Sequence, residues 1–462
     1  MAEKSAIPLE LGTEKIGTLL KQYALPAIIA QTASSLYNMV DSIFIGQGVG
    51  PLAISGLAVT FPLMNLSTAF GTLVGAGAAT MLSVLLGQKN YKAANKVLGN
   101  VVSLNVILGF LFMAVALIFI DPILYFFGAS ENTLPYAKEY IQIILYGNIV
   151  THLYFGLNAA MRSSGHPKKA MALTIFTVVF NTILDPIFIF VFDMGIAGAA
   201  WATVIAQTVA MILVMRHFSD RSRAFHFEKG IFKLDPRVAK DSLTIGMGPF
   251  LMNTAACLVT LFINQQLRDY SGDLGIGSYG ICNRFIFMFI MICMGLNQGM
   301  QPIAGYNYGA KQYSRVKEVF WMTAKLGTVV TTICFCIGMF IPRIAAGIFT
   351  HDEALLNMSA EGMRILTIGF PIVGFQMIGT NFFQCLGMVK KSIILSLSRQ
   401  LLFLLPLLYS LPFWMGANGV WMSFPISDVL SALLTAILLR RLFKKFNMLK
   451  DGEESSVLGS NL

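Results

Sequence analysis

The sequence predicts an all-α polytopic membrane protein, with twelve transmembrane helices in two parallel, pseudo-symmetric six-helix bundles. Three observations carry this prediction. The first is composition. Of 462 residues, 56% are hydrophobic and only 12% charged, and the mean hydropathy is +0.69. A soluble domain of this length carries roughly twice that share of charge. The second is a series of about twelve apolar runs, each near the roughly 20 residues a helix needs to cross the hydrocarbon. The third is that the chain repeats itself. Pro26 pairs with Pro249, Gly87 with Gly309, Tyr91 with Tyr313, Gly165 with Gly387, Pro186 with Pro406, and Gly198 with Gly419, at offsets of 220 to 223 residues. Six spans per copy is an even number, so both copies enter the membrane from the same side and are parallel repeats. Paired bundles of this kind carry a site at their interface and work by rocking.

In chain order, the polar start Met1–Lys15 precedes the first span, expected at 16–45. That run is too long for a signal peptide and lacks a small-residue cleavage site, so it stays as a helix. The first copy continues with spans at 52–85, 98–120, 137–160, 169–192 and 195–216. The second copy has spans at 241–267, 276–304, 320–341, 360–385, 393–413 and 417–439. Basic residues follow the even-numbered spans: Lys89, Lys92 and Lys96; Arg162, Lys168 and Lys169; then a dense group from Arg216 to Lys240. The second copy repeats the pattern with Lys311, Arg315 and Lys317; Lys390 and Lys391; and Arg440 to Lys445. The opposite loops hold little beyond Lys138, Arg268 and Arg343. Both termini are therefore expected in the cytoplasm. The net charge of +10 reflects this bias and contact with anionic lipid, not a nucleic-acid surface. The expected domains are an N-lobe at 1–216, a cytoplasmic linker at 217–240, a C-lobe at 241–445 and a disordered tail at 446–462.

Several chemistries are not encoded. The six cysteines lie in apolar runs without zinc spacing and read as small buried hydrophobes. The five histidines do not pair at ligand spacing, and no nucleophile–base set converges. No G-x-x-x-x-G-K-[ST] run occurs. The chain is thus expected to be neither an enzyme nor ATP-driven, and to need no cofactor.

Ionisable residues inside spans point to function. In the first copy these are Asp41 and Asp185. Asp185 precedes the outer turn at Met194 by nine residues and Thr203 follows it by nine, so both lie roughly 13 Å deep. Asn181 shares a helix face with Asp185. Asp41 lies roughly 10 Å in from its own outer turn. Asp41, Asn181, Asp185 and Thr203 therefore form a candidate cation site. Its oxygens suit a hard monovalent ion such as Na⁺, or a proton shared between crowded carboxylates. In the second copy Asp41 maps near Asn264 and Asp185 near Leu405, so coupling is expected in the first bundle alone. Arg399 and Asp428, on spans eleven and twelve, read as a buried ion pair, with a cation or proton relay as the sharper alternative. Pro26, below Asp41, is the expected hinge. A permissive substrate cavity is assigned to Tyr37, Met64, Asn264, Gln265, Arg284, Met288 and Met291, where flexible thioethers adapt to varied apolar ligands.

The two parallel six-span halves, the run Pro26…Tyr37-Asn-Met-Val-Asp41-x-Ile-Phe-Ile-Gly46, Asn181-x-x-x-Asp185-Pro186 and the basic Gly-x-x-x-Tyr loops resemble the multidrug and toxic compound extrusion (MATE) transporters. The similarity covers roughly 15–445 and is strongest to the DinF/MepA-like bacterial branch. The resemblance implies a bacterial plasma-membrane antiporter, a monomer, exporting amphipathic organic cations in exchange for H⁺ or Na⁺. It places the coupling cation at Asp41, Asn181, Asp185 and Thr203, and a bend of span one at Pro26. Branches that use acidic residues in spans seven or eight match less well, because those spans hold Asn264, Gln265 and Arg284. The alternative is a lipid or lipid-linked oligosaccharide flippase of the same superfamily.

Overall fold

The computed structural model describes residues 10–453, except 222, 224, 229, 231 and 232, and leaves the side chains at 38, 39, 51, 268 and 273 undescribed. The chain divides into two compact units. Unit 1 comprises 29–250 with the segment before Glu14, and unit 2 comprises 14–28 with 251 onward.

All twelve expected spans are helices. They are α1 (Ile16–Gly48), α2 (Pro51–Gly87), α3 (Tyr91–Ile118), α4 (Leu134–Tyr146 and Asn148–Ser163, interrupted at Gly147), α5 (Pro167–Pro186, continued by a π-helical turn, Ile187–Val191) and α6 (Gly195–Ser219). Then come α7 (Pro236–Leu267) and α8 (Leu274–Gly309), separated where Gly272 turns the backbone with φ 64°. The series closes with α9 (Tyr313–Phe340), α10 (Glu353–Thr367 and Phe370–Cys385, bent by 55°), α11 (Val389–Leu397, π-helical Ser398–Leu404, Leu405–Met415) and α12 (Ala417–Phe446). By length and hydropathy alone, nine described helices pass as spans, or ten with the bent α10. The broken α4 is not among them, and neither is α1. The chain is a multi-pass membrane protein of the predicted fold class.

The boundary between units falls inside α1 and inside α7. Residues up to Ile28 belong to unit 2 and Ile29 onward to unit 1, so the change comes two residues past Pro26. In α7 it comes at Phe250/Leu251, just past Pro249. The first parts of both helices are bedded on glycine. In unit 1, a Cβ at Gly77 of α2 would lie 1.8 Å from Ser242 O, and one at Gly246 of α7 would lie 1.8 Å from Leu73 O. In unit 2, Cβ atoms at Gly295 and Gly299 of α8 would meet Ile28 Cα at 2.5 Å and Ala24 Cα at 2.4 Å. Small residues allow such backbone-to-backbone approach between helices.

The segment at 217–240, expected as a linker, is tied to α3. Asn95 Nδ2 donates to Glu228 Oε1 at 2.9 Å, and Asn100 Oδ1 accepts from Asp235 N at 3.0 Å. Asp235 in turn caps α7, accepting from the N–H groups of Arg237 and Val238, and these two donors hold its carboxyl below the usual range. The tail expected to be disordered from 446 is ordered through Glu453. Asp451 Oδ1 accepts from Ser314 N at 3.1 Å, satisfying a free donor at the start of α9, and Tyr313 OH donates to Glu453 O at 3.3 Å. The rest of that expected tail, 454–462, lies outside the described residues.

Candidate functional site

The four predicted cation-site residues all fall in unit 1. Asn181 and Asp185 stand one turn apart on α5, and Asn181 Nδ2 donates to Asp185 Oδ1 at 3.3 Å. The same amide lies 3.4 Å from Thr203 Oγ1 on α6. Thr203 has one hydroxyl proton, and it goes to Ala199 O at 3.1 Å. The threonine oxygen therefore accepts from Asn181 and from Tyr37 OH, 2.8 Å away on α1. Pro186 lacks the N–H that would bond the carbonyl of Thr182, and the helix widens into its π turn directly after Pro186.

Asp185 is 0% exposed and Asp41 5%. Both carboxyl groups are buried from solvent within unit 1. They lie within electrostatic reach of the phenols of Tyr37 and Tyr140, and Asp41 within that of Asp185. The surround is apolar: Ile45, Leu57, Ile189, Ile196 and Ala199 pack with Tyr140 in one buried cluster. Three acceptors remain without a hydrogen-bond partner among the described residues: Asp41 Oδ1, Asn181 Oδ1 and Asp185 Oδ2. No described Lys or Arg forms an ion pair with either carboxylate. Two buried carboxylates and an amide thus each keep one oxygen that no described donor fills, beside a threonine oxygen that already accepts from Asn181 and Tyr37. Such a cluster fits one cation of low charge or a proton. No described group of three or more His, Cys, Asp or Glu side chains has the makings of a multivalent metal site.

Tyr140 was not singled out by sequence reasoning. It lies in no motif, and the structure buries it, 1% exposed, in the apolar cluster of Ile45 and Ile189. A second polar cluster was also missed. His152 is 0% exposed, Ser67 Oγ lies 3.2 Å from its Nε2, Ser67 also donates to Asn148 Oδ1, and Asn148 Nδ2 donates to Gly109 O at 3.0 Å. Its residues come from α2, α3 and α4, so no local spacing betrays it.

The predicted cavity residues divide between the units. Tyr37 and Met64 are in unit 1; Asn264, Gln265, Arg284, Met288 and Met291 are in unit 2. Met64 is half-buried among apolar side chains, with Thr60 Oγ1 at 3.7 Å from its sulfur. Asn264 and Gln265 line a cavity of about 410 Å³ with Leu261, Ile276 and Asp269, a carboxylate the sequence reading left out. Arg284 and Met288 are exposed, and Met291 is partly so. Pro26 is buried within α1.

Tyr37 donates to the threonine that accepts from Asn181, so Tyr37→Phe is expected to weaken binding of any cation this cluster takes about 10-fold, the value of one hydrogen bond of about 1.4 kcal/mol. Titrating the purified protein with Na⁺ and with acid checks this; an unchanged half-saturation point would remove Tyr37 from the site.

Comparison with known proteins adds three findings. The family model described as MatE matches residues 26–187 and 246–410. The multidrug export protein MepA of Staphylococcus aureus (strain MRSA252) is 28% identical over 419 residues, covering 91% of this chain and 92% of its own length. Among solved structures, the MATE multidrug transporter DinF-BH is 36% identical, with a TM-score of 0.88, covering 95% of this chain and 98% of that one. A structure described as the outward-facing conformation of a multidrug resistance MATE family transporter superposes with a TM-score of 0.90 at 21% identity, covering 97% of this chain and all of that one, a likeness of fold.

Proposed function

The chain belongs to the MatE family, and from that premise we propose that it is a multidrug efflux transporter of the plasma membrane. It works as a secondary antiporter, exporting amphipathic organic cations in exchange for H⁺ or Na⁺ by alternating access. The observation that carries this reading is the trio of buried acceptors without donors, Asp41 Oδ1, Asn181 Oδ1 and Asp185 Oδ2, with no basic side chain paired to the two carboxylates among the described residues. Buried polar atoms are normally bonded, and an ion is one of the few explanations for a cluster of exceptions. A proton or Na⁺ entering the cluster supplies what it lacks. The names of the relatives support the substrate class: a multidrug export protein and a multidrug transporter.

Coupling then follows from linkage. The cation favours the conformation in which Asp41, Asp185 and Asn181 converge. The organic cation favours the other, and each ligand drives the exchange only through its preference for one state. Pro26 and Pro249 stand where α1 and α7 change units, so a bend there moves one part of a helix with each unit.

The test is efflux of a fluorescent organic cation from proteoliposomes, with a pH gradient or a Na⁺ gradient imposed alone. Transport driven by one of the two is expected, and it names the coupling ion. Failure with both gradients, alongside scrambling of a labelled phospholipid, would replace the antiporter with a flippase.

A further inference from the structure

Three carboxylates are buried among the described residues: Asp41 and Asp185 in unit 1, and Asp428 in unit 2. The first two have no basic partner among the described residues. Asp428 has one, since Arg399 Nε donates to its Oδ1 at 2.7 Å. The two units therefore treat a buried negative charge in opposite ways.

The local structure fixes this difference. Spans five and eleven are equivalent in the repeat, and each carries a π-helical segment, Ile187–Val191 in α5 and Ser398–Leu404 in α11. In unit 1 that segment follows the carboxylate of Asp185; in unit 2 it carries the guanidinium of Arg399. Asp428 sits on α12 and is 2% exposed. Its second oxygen is walled in, because a Cβ at Gly369 would lie 3.1 Å from Oδ2, and Oδ2 has no hydrogen-bond partner. The other described titratable groups in this part of the core are Tyr279, whose ring packs on Trp421 and Phe424, Cys282, whose Sγ donates to Ser359 O at 3.3 Å, and Cys334. Phenol and thiol carry no charge at neutral pH. Arg399 is thus the one described charge that balances Asp428.

We propose that Arg399 is a tethered cation, its guanidinium holding in unit 2 the place that an exchangeable cation takes in unit 1, so that cation exchange is confined to unit 1. A guanidinium does not release its proton in a protein, and it cannot diffuse away. Separating a buried pair leaves an uncompensated charge, which is strongly unfavourable, so solution cations do not compete for Asp428. The sequence comparison finds the Asp41 and Asp185 carboxylates missing from the second copy. The structure adds that the buried carboxylate the second copy does possess is already filled.

The consequence for transport rests on the antiport reading, whereas the cation count does not, so the test has two arms. In the first, Asp41→Asn/Asp185→Asn protein, purified and monodisperse, is titrated with a pH indicator from about pH 8 to about pH 5. Adding Arg399→Met is expected to increase proton uptake by about one per molecule, and adding Asp428→Asn as well should remove it. No extra proton in folded Arg399→Met protein would overturn the proposal. In the second arm, the neutral pair Arg399→Met/Asp428→Asn is placed in the otherwise unchanged chain. Neutralising both partners of a buried pair is often close to neutral for stability, so this variant keeps the proposal testable where Arg399→Met alone fails to fold. It is expected to keep transport within about 2-fold of the parent. Loss of transport by a folded neutral pair would put these charges in the cycle and sink the tether. If the parent itself moves no organic cation under either gradient, the antiport reading falls, and the proton count still decides this one.

Discussion

Asp41→Asn and Asp185→Asn are each expected to reduce gradient-driven efflux to background while leaving the protein in the membrane at parental levels. Both carboxylates are buried and both retain an oxygen without a partner, so each stands ready as a direct ligand. A unit charge about 4 Å from a bound cation contributes about 4 kcal/mol at an effective dielectric of 20. At 1.4 kcal/mol per factor of ten, losing it weakens cation binding by about 1,000-fold. Asparagine keeps the shape and one oxygen but not the charge. The change therefore separates a role as ligand from a role in packing, and removing an uncompensated buried charge favours folding. Initial efflux rates in proteoliposomes, normalised to reconstituted protein, make the measurement. Parental rates from both variants would mean that neither carboxylate takes part in coupling.

The largest effect on stability is expected at the glycines that bed α1 and α7. Gly77→Val would drive a side chain into the carbonyl of Ser242, and Gly299→Val would drive one into the backbone at Ala24. Backbone has no rotamer by which to give way, so the helices must separate, at a cost of about 3 kcal/mol or more. Gly280→Ala, also in α8, meets no heavy atom within 4 Å and is the control; it should be neutral or slightly stabilising. Thermal unfolding followed by the monodisperse fraction compares the three. Equal midpoints for Gly77→Val and Gly280→Ala would show that the close approach is not needed for the fold.

The fold was legible because hydropathy and repetition are written along the chain. Each expected apolar run is a helix, and Pro26, Pro186, Pro249 and Pro406 mark departures from a straight helix or a change of unit. Asn181, Asp185 and Thr203 were legible because helical rise and a common turn set their depth, and spacing is sequence information. Tyr140 and the His152 cluster were not, because they depend on which helices are neighbours. Nor were the glycine beds: Gly77 and Gly299 stand 222 residues apart like the other matched pairs, but only the backbone facing each one explains it. The ordering of the tail through Glu453 also escaped notice, because a polar composition looks the same whether or not a neighbouring helix end offers it a free N–H.

The change of unit within α1 and α7 also bears on ancestry. Each copy of the repeat begins with a half-helix that is bedded not among the rest of its own copy but in the other unit, 14–28 in unit 2 and 236–250 in unit 1. A half-length chain carrying the first copy would keep the glycine seat at Gly77 but lack the segment around Ser242 that fills it here. Two such chains would complete each other by trading opening segments, as in a domain-swapped dimer.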